Sequence, residues 1–251
     1  MQTRSTEPIF LSVVIPAHNE SRRLPNTLPK VLEFLHSQPY RSEVVIVENG
    51  SEDNTLEIAR EFEASNPGMV RVFHEDERGK GLAVRRGMLE ARGAYRFLSD
   101  ADLSMPIEQI SRFLPPQLEN FDIAIASREL PDSRRIGEPS YRHIIGRAFN
   151  LMVQVMALPG FKDTQCGFKC FRAEVAEDLF RFQTLPGMSF DVEVLFIARR
   201  RGYRIVEVPV DWYFDPDSRV RLVGDSLRMA WDLLTIRWNA LRGVYDGKAK
   251  A

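Results

Sequence analysis

The stretch Leu11-Ser-Val-Val-Ile-Pro-Ala-His-Asn-Glu20 decides the reading of the fold. It opens with an apolar, largely β-branched run, the signature of a strand buried on both faces, and stops in small and polar residues. Outward from it, residues 24–36 place Leu28, Val31, Leu32 and Leu35 at a helical period, and Glu43-Val-Val-Ile-Val-Glu48 forms a second apolar run. The alternation continues with a helix to about residue 65 that Ser51 or Asp53 can cap, a strand at 70–74 and a helix at about 81–91. A strand at 95–98, a helical segment at 107–114 and a strand at 122–127 follow. This order predicts an α/β fold, a mostly parallel twisted sheet flanked by helices.

The second half is more helical. Helices are expected at 141–158, 173–181, 191–201 and 226–241, with strands at 167–171 and 205–210. No repeat, low-complexity tract or linker interrupts the chain. One α/β domain with a helical C-terminal extension is therefore expected.

With 251 residues, 44% apolar and 27% charged, the chain is long enough for a packed core and has an ordinary globular composition. Its net charge of −1 argues against disorder and against bulk nucleic-acid binding. The segment 1–8 is polar, without the apolar core of a signal peptide, and no window approaches 18 apolar residues. Cys166 and Cys170 have no second Cys or His pair at zinc-site spacing, and read as reduced, semi-buried thiols.

Ligands of open α/β sheets bind beyond the carboxyl ends of the strands. Four segments fall at such ends: Pro16-Ala-His-Asn-Glu20, Glu48-Asn-Gly-Ser51, Ser99-Asp-Ala-Asp102 and Ser127-Arg128. Three of the four carry carboxylates, and this clustering is the first functional signal. Asp100 and Asp102 can approach one hard cation such as Mg²⁺ or Mn²⁺, whose shell substrate phosphates would complete. A bare D-x-D also occurs in solvated loops; its place at a strand end is what favours the cation. Glu48 and Asn49 are either the end of a turn or acceptors for a base or ribose. Arg78-Gly-Lys-Gly81 opens a helix whose N-terminus suits phosphate, but it is not a Walker A loop, and no G-x-G-x-x-G follows the first strand.

Arg128, Arg134, Arg135, Arg142 and Arg147 crowd one stretch with few acids, either a solvated basic face or a phosphate grip. Asp163-Thr-Gln-Cys-Gly-Phe-Lys169 and Phe190-Asp-Val-Glu193 place polar groups among aromatics. The last helix projects Leu227, Trp231, Leu234, Trp238 and Leu241 along one face and Met229, Leu233 and Ile236 along another. It either docks on the domain or lies in a membrane interface, and both readings can hold on different faces. Of the four histidines only His18 falls beside a strand end.

Taken in order, Val13-Val-Ile-Pro-Ala-His-Asn-Glu20, Glu48-Asn-Gly-Ser51, Arg78-Gly-Lys-Gly81, Asp100-Ala-Asp102, Asp163-Thr-Gln-Cys-Gly-Phe-Lys169 and Phe190-Asp-Val-Glu193 resemble glycosyltransferase family 2, of GT-A fold. Within it they look most like the dolichyl-phosphate β-glucosyltransferase and polyprenyl-phosphate sugar synthase branch. The resemblance runs from about residue 11 into the final helix, where Asp232-Leu-Leu-Thr-Ile-Arg237 also matches.

The resemblance implies inverting transfer of a sugar, glucose from UDP-glucose in the first place, to the phosphate of a polyprenol. Pro16, Ala17, Glu20, Glu48, Asn49, Lys80, Asp100 and Ala101 would then bind the nucleotide-sugar. Asp100, Asp102 and Ser104 would hold the metal. Arg128 and Arg142 would grip the acceptor phosphate, with Asp102, Asp163, Lys169 and Asp191 completing the catalytic set. Asp191 matches the region where sugar-accepting relatives place a base; with a phosphate acceptor an orienting role is expected instead. The common D-D-G-S is Glu48-Asn-Gly-Ser51 here, which leaves base preference open. Residues 1–224 are read as the catalytic domain and 225–251 as an amphipathic helix and tail. The expected location is peripheral, at the cytoplasmic face of a membrane. The alternatives are a GDP-mannose-dependent enzyme on the same acceptor, a family 2 enzyme with a soluble or polysaccharide acceptor, and a nucleotide-sugar-binding regulatory protein.

Overall fold

Leu11–Ala17 forms β1, buried along nearly its whole length. Val13 and Ile15 pack on one face of the sheet and Val14 on the other, so the continuous apolar run is what a central strand requires. The computed structural model describes residues 7–217 and 222–247. After β1 come α1 (Leu24–Ser37), β2 (Ser42–Asn49), α2 (Thr55–Ser65), β3 (Val70–Glu75), α3 (Lys80–Glu90) and β4 (Tyr95–Leu98). A 3₁₀ segment (Ile107–Phe113), β5 (Ile123–Ser127), β6 (Arg134–Ile136), α4 (Ser140–Met156), β7 (Lys169–Arg172) and α5 (Ala173–Phe182) follow. The chain then forms α6 (Phe190–Arg200), β8 (Ile205–Pro209), β9 (Asp211–Tyr213) and α7 (Leu222–Leu241).

The main sheet has the order β3-β2-β1-β4-β7-β5-β8. The order reverses between β1 and β4, and this switch point opens a crevice at their carboxyl ends. β7 alone among these strands runs antiparallel to its neighbours, pairing Lys169 with Leu98 of β4 and with Ile125 of β5. Its amino end therefore lies at the carboxyl edge of the others. One core gathers α1, α2 and the 3₁₀ segment on the sheet; a second gathers α3 to α7.

The helical segment expected at 107–114 is a 3₁₀ helix over Ile107–Phe113. Two further features depart from the sequence reading. The short parallel pair β6–β9 was not foreseen, because three-residue strands carry too little alternation to read. The cysteines are fully buried rather than half-buried, and burial pushes the Cys166 thiol up to about 11, so neither is a reactive thiol.

α7 docks through Met229, Leu233, Ile236 and Ala240 and packs on α4 and α6. Burying one Leu or Ile contributes roughly 1.5–3 kcal/mol, enough to hold the helix down. Its other side is open: Trp231 is 71% exposed, Trp238 60% and Leu241 83%. Leu227 belonged to the same expected stripe, but its side chain lies outside the described residues.

Candidate active site

β4 ends at Leu98, and the Ser99 N–H still donates to Val14 O, so the chain leaves the sheet at the switch point. The Asp100–Asp102 turn is tightly held there. The Thr27 hydroxyl donates to the Ala101 carbonyl at 2.6 Å, and the Ser104 N–H donates to Asp102 Oδ1 at 2.9 Å. Leu103 closes the turn with φ +48, an uncommon value for a residue with a side chain. Asp100 Oδ1 lies 2.6 Å from Lys80 Nζ. Burial and the neighbouring Asp100 charge push the Asp102 carboxyl up. Burial works against the Lys80 charge, but Asp100 and Asp191 outweigh it and hold the ammonium charged.

Two neighbouring carboxylates, Asp100 paired with the Lys80 ammonium and Asp102 raised by burial and by the Asp100 charge, form a donor set that favours a hard cation. No three His, Cys, Asp or Glu side chains converge on a metal site among the described residues. A cation here would have to share Asp100 and Asp102 with substrate oxygens, as Mg²⁺ and Mn²⁺ do. The residues fit the group.

Gly167 explains why the turn can sit so close. A Cβ at that position would lie 2.0 Å from Asp100 Oδ2, so the Asp163–Lys169 segment passes against the carboxylate only because residue 167 lacks a side chain.

On the β1–β2 side, the Glu48 oxygens are already engaged by the Ser51 N–H and by His74 Nδ1. Burial would raise this carboxyl, but the bonds from Ser51 and His74 hold it below its ordinary value. Glu48 thus braces the turn. Asn49 stays buried at its end, and its carbonyl accepts from His18 Nδ1 at 2.7 Å. The expected cap of α2 works differently: Ser51 accepts from the Asn19 N–H, and Asp53 accepts from the N–H groups of Ser21 and Thr55. These bonds tie the β1–α1 loop, with Pro16 and Ala17 at its start, to the turn after β2. Glu20 pairs with Arg23 at 3.0 Å, and Arg23 reaches Asp215 at 2.6 Å.

The glycines of Arg78-Gly-Lys-Gly81 serve packing as well as any phosphate. A Cβ on Gly79 would meet Pro186 O at 2.4 Å, and one on Gly81 would meet Leu185 O at 2.5 Å. The Gly81 N–H donates to Pro186 O, so this first-turn donor is taken. Lys80 is the part of the motif that faces the acidic turn.

On the remaining side, Arg128 grips Asp163 in a bidentate pair at 2.6 and 3.0 Å, and the Arg128 N–H adds a third bond. Burial would raise the Asp163 carboxyl, but Arg128 holds it well below the carboxylate range. Lys169 Nζ lies 2.7 Å from Asp191 Oδ1 and donates to Cys166 O at 2.6 Å. Burial outweighs Lys169 and keeps the Asp191 carboxyl raised. Asp100, Asp191, Lys80 and Lys169 therefore form one interleaved set of charges.

The basic stretch is less open than its sequence suggests. Glu129 pairs with Arg135, Arg147 and His143, and Glu138 also pairs with Arg135. Arg142 stands over the Phe214 ring at 5.1 Å, and among the described residues nothing accepts from its Nε. Arg128 stands over Trp212 at 5.3 Å, and the Trp212 and Phe214 rings are 6.1 Å apart.

The sequence model described as glycosyl transferase family 2 matches residues 12–180. The chain belongs to glycosyltransferase family 2. Among its family 2 relatives, a dolichyl-phosphate beta-glucosyltransferase of Dictyostelium discoideum is 33% identical over 96% of this chain and 78% of its own. That of Saccharomyces cerevisiae is 34% identical over 97% and 79%. Among solved structures, glucosyl-3-phosphoglycerate synthase of Mycobacterium tuberculosis with UDP superposes with a TM-score of 0.66 at 16% identity, over 91% of this chain and 78% of that one. A complex of the same synthase with Mn²⁺, UDP and glucosyl-3-phosphoglycerate gives 0.64 at 17% identity, over 92% and 79%. The shared fold is GT-A.

In this family 2 chain Lys80, Asp100, Lys169 and Asp191 are brought together from distant parts of the sequence, whereas Glu20 pairs with Arg23, Glu48 with His74 and Arg128 with Asp163. Reasoning from sequence missed Trp212 and Phe214. The signal that could have found them is the aromatic run Asp211-Trp-Tyr-Phe214 directly after a strand.

Proposed function

We propose that this family 2 enzyme transfers glucose from UDP-glucose to the phosphate of a polyprenol such as dolichol, with inversion at the anomeric carbon. The reading is supported by the names of its relatives and carried by one observation about α4. That helix, which packs on α7, bears Arg142 near its start and an apolar stripe, Tyr141, Ile144, Leu151 and Val155, facing solvent. A phosphate grip and a lipophilic surface on one helix suit an acceptor with an anionic head and a hydrocarbon tail.

Asp100 and Asp102 would hold Mg²⁺ or Mn²⁺, which when bound supplies Lewis-acid stabilisation to the leaving diphosphate. Lys80, paired with Asp100, would meet the donor phosphates. Asn49 stands where the family commonly has a carboxylate, and its amide would be the contact to the base. The acceptor phosphate, with a second pKa of about 6, is largely dianionic at neutral pH and needs no strong base. What it needs is relief from repulsion between two anions. Arg142 supplies a guanidinium with no acidic partner among the described residues, Arg128 a charge fixed by Asp163, and Lys169 an ammonium aimed by Asp191. Trp212 and Phe214 keep the two guanidinium planes in place.

The test is transfer of radiolabelled glucose from UDP-glucose into the organic phase in the presence of dolichyl phosphate. Label that moves only with GDP-mannose, or only into water-soluble product, overturns the reading. In the same assay Arg142→Ala is expected to lower acceptor kcat/KM by about 10²-fold, the cost of one electrostatic contact, with donor affinity within about twofold by calorimetry.

The proposed location is peripheral, at the cytoplasmic face of a membrane; among the described residues no helix is long and apolar enough to cross one. α7 would lie with Trp231 and Trp238 at headgroup depth. Deleting α7 would uncover the buried Leu233 and Ile236, so the outer face alone should be changed. Trp231→Ser with Trp238→Ser is expected to reduce sedimentation with anionic liposomes about tenfold or more while leaving the melting temperature unchanged. Unchanged sedimentation would show that this face does not meet lipid.

A further inference from the structure

The Asp232-Leu-Leu-Thr-Ile-Arg237 motif on α7 has no part in the chemistry above, yet its first residue reaches inward. The Ser189 hydroxyl donates to Asp232 Oδ2 at 2.6 Å. Ser189 sits at the N-cap of α6, where a serine usually accepts from its own helix; here its side chain makes no cap bond. It is 1% exposed, so the hydroxyl is committed to α7. Four residues on, the buried Glu193 accepts from the Thr184 and Leu185 N–H groups, the Thr184 hydroxyl and the Tyr245 hydroxyl at 2.8 Å. Asn239 of α7 also donates to Thr184 Oγ1 and Tyr245 Oη.

The first turn of α6 is thus clasped at both ends by the C-terminal segment, at Ser189 through Asp232 and at Glu193 through Tyr245. Asp191 lies between the two anchors and meets Lys169 at 2.7 Å. A slip of this turn by a few tenths of an ångström would move the Asp191 carboxylate against the ammonium. Nothing else in the motif needs a carboxylate at 232: its neighbour Leu233 packs inward and Leu234 faces outward.

We propose that Asp232 is a positioning residue that acts through Ser189 to fix Asp191 against Lys169, so that the helix offering its outer face to solvent also sets the geometry of the reacting site. The proposal rests on the reading of Asp191 and Lys169 as acceptor-side residues. The test compares kcat and KM in the transfer assay, in detergent, with a short-chain prenyl phosphate as acceptor. Asp232→Ala and Ser189→Ala are each expected to lower kcat about tenfold with donor KM within about twofold. The double variant is expected to be no worse than either single one, because both remove the same bond. Asp232→Asn, whose amide oxygen still accepts from the hydroxyl, is expected to recover kcat to within about twofold.

Additive losses, unchanged kcat in Ser189→Ala, or no recovery in Asp232→Asn overturn the proposal. Ser189→Ala removes a single oxygen and carries the test if Asp232→Ala fails to fold. Asp191→Asn separates the two readings. If it keeps full kcat, the acceptor-site assignment fails and the proposal with it. If it loses activity while Asp232→Ala and Ser189→Ala keep theirs, only the positioning role fails.

Discussion

Asp102→Ala is expected to cost about 10²-fold or more in kcat/KM, to abolish Mn²⁺ binding measured by paramagnetic resonance, and to leave the melting temperature unchanged or higher. The first figure is the scale of losing one preorganised electrostatic stabiliser. The sign of the stability change follows from the surroundings. Burial and the Asp100 charge raise the Asp102 carboxyl above its ordinary value, so at neutral pH its charged form opposes folding. Removing it relieves that repulsion and loses one hydrogen bond, from the Ser104 N–H at 2.9 Å. A site residue that lowers stability while serving chemistry is a common trade. Full activity of the wild-type enzyme in EDTA would overturn the metal role, and a large fall in melting temperature would show that Asp102 is structural.

Gly167→Ala is expected to produce a loss of similar size without removing a polar group. The added Cβ would sit 2.0 Å from Asp100 Oδ2 and 2.6 Å from Asp100 Cγ, inside any allowed contact. The carboxylate is the end of a short side chain, whereas the Gly167 backbone is anchored by β7 and by the buried Phe168. The carboxylate therefore swings away. That breaks its 2.6 Å pair with Lys80 and moves it out of line with Asp102. Overpacking costs about 1–3 kcal/mol, and the low end is expected because the obstructing group can move. The signature is loss of Mn²⁺ binding and about 10²-fold of activity with a melting temperature only slightly reduced. Wild-type Mn²⁺ affinity in Gly167→Ala would show that Asp100 does not hold the ion.

Much of this site could be read from the chain because a parallel α/β sheet obeys local rules. The apolar runs of β1, β2 and β4 are buried on both faces, so they stand out in composition, and their polar ends fall on one edge. Asp100 and Asp102, Glu48 and Asn49, and Pro16 to Glu20 were therefore recognisable as neighbours. What resists such reading is occupancy. Glu48 looked like an open acceptor, but Ser51 and His74 use both its oxygens. Arg135 and Arg147 looked like free cations, but Glu129 lies between them. Gly81 looked like a phosphate donor, but Pro186 takes its N–H. Each depends on a residue brought close by the fold rather than by the local sequence.

By itself the sequence determined the alternating architecture, the polar strand ends, the acidic turn and the family, since each rests on periodicity or on residues a few positions apart. The tertiary structure alone decided three things. It inserted β7 antiparallel between β4 and β5, which carries Lys169 to the carboxyl edge. It joined Arg128 to Asp163 and Arg142 to Phe214. It also turned α7 so that one apolar face is buried and the other stands open. Strand direction and helix rotation are fixed by which buried surfaces fit together, a sum over many weak long-range contacts that no short stretch of sequence contains.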